Sequence, residues 1–111
     1  MIRHIVIFKY RTDATPVQIQ TIHDALKGLQ NRIPGIIAFE AGVNNSPENL
    51  NRGFTHVFQL TFTDAAARDA YLPHPEHTAF GATLRGTGIL EEVFVIDYDP
   101  SASSGQTPAS T

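Results

Sequence analysis

The sequence holds five histidines, His4, His23, His56, His74 and His77, and no cysteine. Imidazole changes charge near neutral pH, which makes it the usual acid and base of enzyme sites. The missing cysteine removes thiolate nucleophiles, thiolate metal ligands and disulfides from consideration. His4 is the third residue of an alternating apolar run, and His56 is the third of another that spans residues 54–63. If those two strands are parallel neighbours, their imidazoles lie side by side on one face. His77 shares a helical face with Phe80 and Leu84, at spacings of three and four. Tyr71 shares a face with Ala67 on the short helix before it. Three imidazoles and one phenol are therefore expected to converge between a sheet and its helices, where they could move protons.

Other readings stand beside this one. A lone imidazole on an apolar strand face is more often a hydrogen-bonded core residue than a catalyst. Three imidazoles can bind zinc, but no ligand spacing requires it, and no carboxylate is expected on that face. His74, before Pro75 at a helix start, reads as turn chemistry or a helix cap. His23 lies beside the apolar stripe of the first helix and lines the interior or its edge. Asp97, near the end of the last strand, reads as a solvated or backbone-bonded carboxylate.

The elements that must position these groups are well punctuated. Residues 2–10 alternate with a period of two and read as a strand. Thr15-Pro16-Val17-Gln18 is a helix start, with Thr as cap, Pro at the first position and Gln placed for a capping box. Ile19, Ile22, Leu26, Leu29 and Ile33 then form one helical stripe that Pro34-Gly35 ends. Residues 36–43 are a second strand and 44–53 a polar loop. In residues 54–63, Phe54, His56, Phe58, Leu60 and Phe62 occupy one face. Asp64 caps a short helix that Pro73 breaks, and a further helix runs from His74-Pro75 to about Leu84. Residues 89–98 form the last strand.

This is the β-α-β-β-α-β order of an α+β, ferredoxin-like protomer with a four-stranded sheet and both helical regions on one face. A chain of 111 residues, 41% apolar, supports one domain of that size. We place it at residues 1–99, followed by a disordered tail at 100–111 with nothing to bury. Strands one and three are expected side by side at the sheet centre and parallel. The second face of the sheet retains Ile5, Ile7 and Val57, and an apolar patch of that kind calls for a partner. Two copies packed face to face would close a dimeric α+β barrel.

Composition excludes other partners. A net charge of −3, with basic residues scattered singly, offers no phosphate-reading surface, so nucleic acid is not expected. No apolar run approaches the ~20 residues of a membrane span. The chain enters a strand directly after Met1 with no secretory pattern, and the reading is of a cytoplasmic protein.

Several stretches together resemble a known family. They are His4-Ile-Val-Ile-Phe-Lys9, Ile33-Pro-Gly35, Ser46-Pro-Glu-Asn-Leu-Asn51, Gly53-Phe-Thr-His-Val-Phe58, Ala70-Tyr-Leu-Pro-His-Pro-Glu-His77 and Phe94-Val-Ile-Asp-Tyr98. Over nearly the whole ordered chain they look like the stress-responsive A/B barrel domain, also called the Dabb or dimeric α+β barrel domain. The resemblance implies a ferredoxin-like protomer, a homodimer and no cofactor. One plant member is a cyclase that folds a linear polyketide by intramolecular aldol condensation. Its acid/base His and assisting Tyr fall on His77 and Tyr71, and its other pocket histidines on His4 and His56. Its aromatic wall falls on His23, Leu26 and Gly88, and a smaller aliphatic residue on Phe58, so the substrate does not carry over. Some members also hold a magnesium ion on backbone carbonyls, at positions matching Gln30, Ile33 and Ile36.

Three functions compete at this stage. One is a cofactor-free catalyst of aldol, cyclase or lyase type, using His77 and Tyr71 on a small carbonyl compound. Another is a non-catalytic small-molecule binder or stress-response dimer. The third is a cofactor-independent monooxygenase. An open cavity at Tyr71 and His77 favours the first; an interior filled by Phe58, Phe80 and Leu84 favours the second; oxygen consumption with a phenol favours the third.

Overall fold

The four expected strand segments become β1 (Ile2–Tyr10), β2 (Ile36–Val43), β3 (His56–Phe62) and β4 (Leu90–Tyr98). Three helices join them: α1 (Pro16–Gly28), α2 (Ala65–Tyr71) and α3 (Pro75–Thr87). The structure is a computed structural model and describes residues 1–102 and Gly105. Most of the expected tail lies outside the described residues.

The helix starts form as their residue types dictate. The Thr15 hydroxyl accepts from the Gln18 amide, and the Gln18 side chain accepts from the Thr15 amide in return. Asp64 caps α2 through the Ala67 amide, and His74 caps α3 by accepting from the Glu76 amide. The first helix is shorter than its stripe. It ends at Gly28 and tightens into a 3-10 turn over Leu29–Asn31, so Leu29 and Ile33 reach the core from that turn. Gly35 then takes φ +94°, and a Cβ there would stand 2.6 Å from that of Ala67. Only glycine allows the chain to pass so close to α2.

The sheet order is β2-β3-β1-β4, with every neighbouring pair antiparallel. The expected parallel pairing of β1 with β3 is therefore wrong. The crossover through α1 joins β1 to β2, and these two run parallel with β3 inserted between them. Handedness rules constrain a crossover, but they do not say how many strands it skips.

Antiparallel register changes which side chains meet. His4 faces Leu60 across the pair, while His56 faces Phe8. The two imidazoles share a sheet face but stand four positions apart, roughly 13 Å at about 3.3 Å per residue. Between them Phe8, Phe58 and Leu60, with Phe62 beyond, form the core with Ile22 and Leu26 of α1. Fully burying each such side chain contributes ~1.5–3 kcal/mol. Phe54, expected on this face, precedes β3 and packs instead on Phe94, with ring centroids 6.2 Å apart.

The opposite face of the sheet carries a continuous apolar row. Val57, Ile7 and Phe94 are register partners across β3, β1 and β4, and Ile5 pairs with Ile96 beside them. Phe94 and Ile96 are half exposed in the protomer. Among the described residues no helix is long and apolar enough to cross a membrane.

Candidate active site

The site starts at the β1–β4 pair. Antiparallel pairing sets His4 opposite Asp97, and the His4 Nδ1–H donates to Asp97 Oδ1 at 2.7 Å. A carboxylate only accepts, so this bond fixes the proton on Nδ1 and leaves Nε2 with a lone pair. The other carboxylate oxygen accepts from Arg68 Nη1 at 2.8 Å, and Arg68 Nε also donates to Asp69. The bonds to Asp97 and then Asp69 raise the Arg68 pKa further, so the guanidinium stays charged. Asp97 is thus neither the solvated nor the backbone-bonded carboxylate read from the sequence, since its oxygens accept from two side chains. It anchors His4 from behind and ties β4 to α2.

Tyr71 and His77 come from either side of the α2–α3 corner. Leu72 still has helical backbone angles, but Pro73 has no amide N–H to extend the ladder of α2, and the His74 cap restarts the chain in a new direction. Tyr71 is almost fully buried, with its ring 5.0 Å from Phe62 and 5.8 Å from His4. Burial pushes its phenol well above the ordinary range, so it stays protonated and can donate. Among the described residues its hydroxyl has no hydrogen-bond partner, yet it is not sealed off, unlike that of Tyr10. His77 lies over it at 4.2 Å between ring centroids, with planes 33° apart. The His77 Nδ1–H donates to the Leu72 carbonyl at 2.9 Å, so its Nε2 also keeps a free lone pair.

These groups share one cavity of about 260 Å³, lined by His4, Tyr71 and His77 together with Leu26, Phe80 and Leu84. It opens toward β4, where Val93 and Val95 on its wall are half exposed. Two imidazole lone pairs and one phenol O–H in an apolar recess can remove a proton, return one and stabilise a developing oxyanion.

The remaining histidines do not join them. His23 and His56 line a separate cavity of about 200 Å³ with Phe58. The rings of Phe8 and Phe58, 5.1 Å apart, stand between the two spaces. Phe58, expected in the pocket with Tyr71 and His77, is instead part of this partition. His56 is bonded to the Thr55 hydroxyl, and burial, followed by the charge of His23, lowers its pKa. His23 bonds to Asp24 and Gln20 at the surface. Among the described residues no three His, Cys, Asp or Glu side chains are placed to hold a metal.

The sequence reading missed Arg68 and gave Asp97 the wrong role. The signal for Asp97 was present: it shares the parity of Val93 and Val95, which puts it on the helix-covered face. Recognising it as a partner of His4 required knowing that β4 pairs with β1. Arg68 carried no such signal.

The profile of the stress-responsive A/B barrel domain matches residues 2–100 of this sequence. The chain belongs to that family. As an A/B barrel protein it is 33% identical to the stress-response A/B barrel domain-containing protein HS1 of Arabidopsis thaliana over 103 residues, 93% of each chain. It is 26% identical to olivetolic acid cyclase of Cannabis sativa over 99 residues, 89% of this chain and 96% of the cyclase. Among solved structures, hydroxynitrile lyase from Passiflora edulis superposes with a TM-score of 0.80 at 25% identity, over 92% of this chain and 96% of the lyase. A dimeric ferredoxin-like protein from Jannaschia superposes with a TM-score of 0.74 at 29% identity, over 88% of this chain and 97% of that one. The relatives of this chain therefore include a cyclase, a lyase is a structural neighbour, and dimers recur among the solved structures.

Proposed function

We propose that this A/B barrel protein is a cofactor-free acid–base catalyst of cyclase or lyase type, acting on a small carbonyl compound. One observation carries the reading: His77 is held with a free Nε2 lone pair against the protonated phenol of Tyr71, at the wall of a cavity. In that arrangement His77 Nε2 removes a proton from the carbon beside a carbonyl. The Tyr71 hydroxyl donates to the carbonyl oxygen as it gains charge. The carbanion then adds to a second carbonyl, and the alkoxide formed takes back from His77 Nε2 the proton removed in the first step. The reverse sequence breaks the same bond. The cyclase and lyase relatives support this class of chemistry, and the altered wall argues for a different substrate.

A screen of dicarbonyl compounds and cyanohydrins tests it. His77→Ala should remove turnover by ~100- to 10,000-fold with the fold retained, and Tyr71→Phe should cost less. Unchanged turnover in His77→Ala would end the assignment.

The non-catalytic binding reading is favoured by one feature, the Phe8–Phe58 partition that fills the interior between His4 and His56. The homodimer belongs to the proposal in either case, closed through the Val57–Ile7–Phe94 row. The Gln30, Ile33 and Ile36 carbonyls fall on the turn from α1 into β2. They are hard oxygen donors of the kind magnesium takes, and a melt with and without magnesium tests them.

A further inference from the structure

The cavity at His77 has a cation on its rim that this chemistry does not use. His77, Gly81 and Arg85 follow one another at intervals of four along α3 and form one stripe. Helical side chains lean toward the N-terminus, and Arg85 folds back over Gly81. A Cβ on Gly81 would stand 3.2 Å from Arg85 Nη1 and 3.9 Å from Cζ. Glycine within a helix is unfavourable relative to alanine, yet here its missing side chain leaves a seat for the guanidinium. Both residues line the cavity.

The Arg85 guanidinium makes no hydrogen bond or ion pair among the described residues. Arg68 and Lys9, by contrast, are paired with carboxylates. Among the described residues no Asp or Glu lines the cavity, and the Asp97 carboxylate is held behind His4. The recess therefore has apolar walls, two imidazole lone pairs and one unpartnered guanidinium at its edge.

We infer that Arg85 binds a carboxylate of the substrate, so that the carbonyl compound handled by His77 is an organic acid. This rests on the cavity being the working site. Along the helix, Gly81 and Arg85 stand one and two turns beyond His77. The carboxylate and the reacting carbon are thus separated by ~5–11 Å, from a pitch of about 5.4 Å. That spacing suits a keto acid of several carbons or an aromatic acid with a carbonyl side chain. A planar guanidinium gives a carboxylate two parallel N–H bonds, which an ammonium does not.

Binding of benzoate and of its neutral isostere benzamide, followed by amide NMR shifts on the full-length chain, tests the inference. Benzoate should bind at least about tenfold tighter, with shifts at Gly81 and His77, and the preference should fall with salt as a charge contact does. Arg85→Gln should bring the two probes to parity while benzamide binding is unchanged. Arg85→Lys should retain part of the preference. A purely structural role, a cation at the end of α3, predicts a lower melting temperature in Arg85→Gln and no change in preference. Equal binding of both probes in the cavity would overturn the role of Arg85 and leave the cavity reading intact. Failure of both probes to shift any cavity residue would overturn the two together.

Discussion

His4 and Asp97 face each other across the β1–β4 pair, with Nδ1 and Oδ1 2.7 Å apart, and the same carboxylate accepts from Arg68 of α2. The contact holds one imidazole of the site in a single tautomer and joins the last strand to the layer of helices. Replacing Asp97 by Asn keeps the shape but loses the charge and puts an N–H₂ where an acceptor is needed. Asp97→Asn should cost ~1–3 kcal/mol, the range for leaving a buried polar partner unsatisfied. Urea melts of the variant measure this directly. A midpoint equal to that of the parent would show that the contact contributes nothing.

The dimer is the second expectation. Ile7 and Phe94 are register partners in the middle of the apolar row, and a charge there cannot be buried unpaired. Obligate interfaces of this kind often bury more than ~2,000 Å² in total. Sedimentation at micromolar concentration should give a dimer for the parent and a monomer for Phe94→Glu. A monomeric parent would rule the interface out.

Stability should fall at both ends of the pH scale, for different groups. Burial raises the Tyr10 phenol to about 12 and raises that of Tyr71 as well. The folded chain then keeps protons that the unfolded chain releases above the ordinary phenol value of about 10. Fewer protons on the unfolded state means that stability declines as pH rises past that point. His56 works in the other direction, since its lowered pKa favours the neutral ring in the fold. Its contribution is present above the ordinary imidazole value of about 6.5 and is lost as pH falls below it. Urea melts across pH should show both limbs, and Tyr10→Phe should flatten the alkaline one. A flat profile above pH ~10 would contradict the burial of these phenols.

Phe58 should act as the partition between the two cavities. Phe58→Val removes part of a ring that is 1% exposed, so it should cost less than the ~3–5 kcal/mol typical of Phe→Ala in a core. In exchange the recess at Tyr71 should extend toward His56 and accept longer apolar ligands. A crystal structure of the variant, with a medium-chain acid added, shows whether the two spaces join. A variant that repacks closed would place the partition elsewhere.

Much of this protein was legible before its fold was known. The Thr15, Asp64 and His74 caps, the alternating runs of β1 and β3 and the α1 stripe are local signals, and local chemistry decides them. The pairing of Tyr71 with His77 was also readable, because both flank one short corner whose direction Pro73 and the His74 cap determine. What strand pairs with what is a different kind of information. A period of two says which face a side chain takes, not which residue it meets, since neighbour and register come from the order in which strands assemble. That is why His4 and His56 looked adjacent and are not. It is also why Asp97 was read as solvated or backbone-bonded when it lies opposite His4, and why Phe58 became a wall. The sequence by itself determined the residue types and the faces they occupy. Only the tertiary structure decided their partners, because antiparallel pairing brings together residues more than ninety positions apart through bonds that no local pattern encodes.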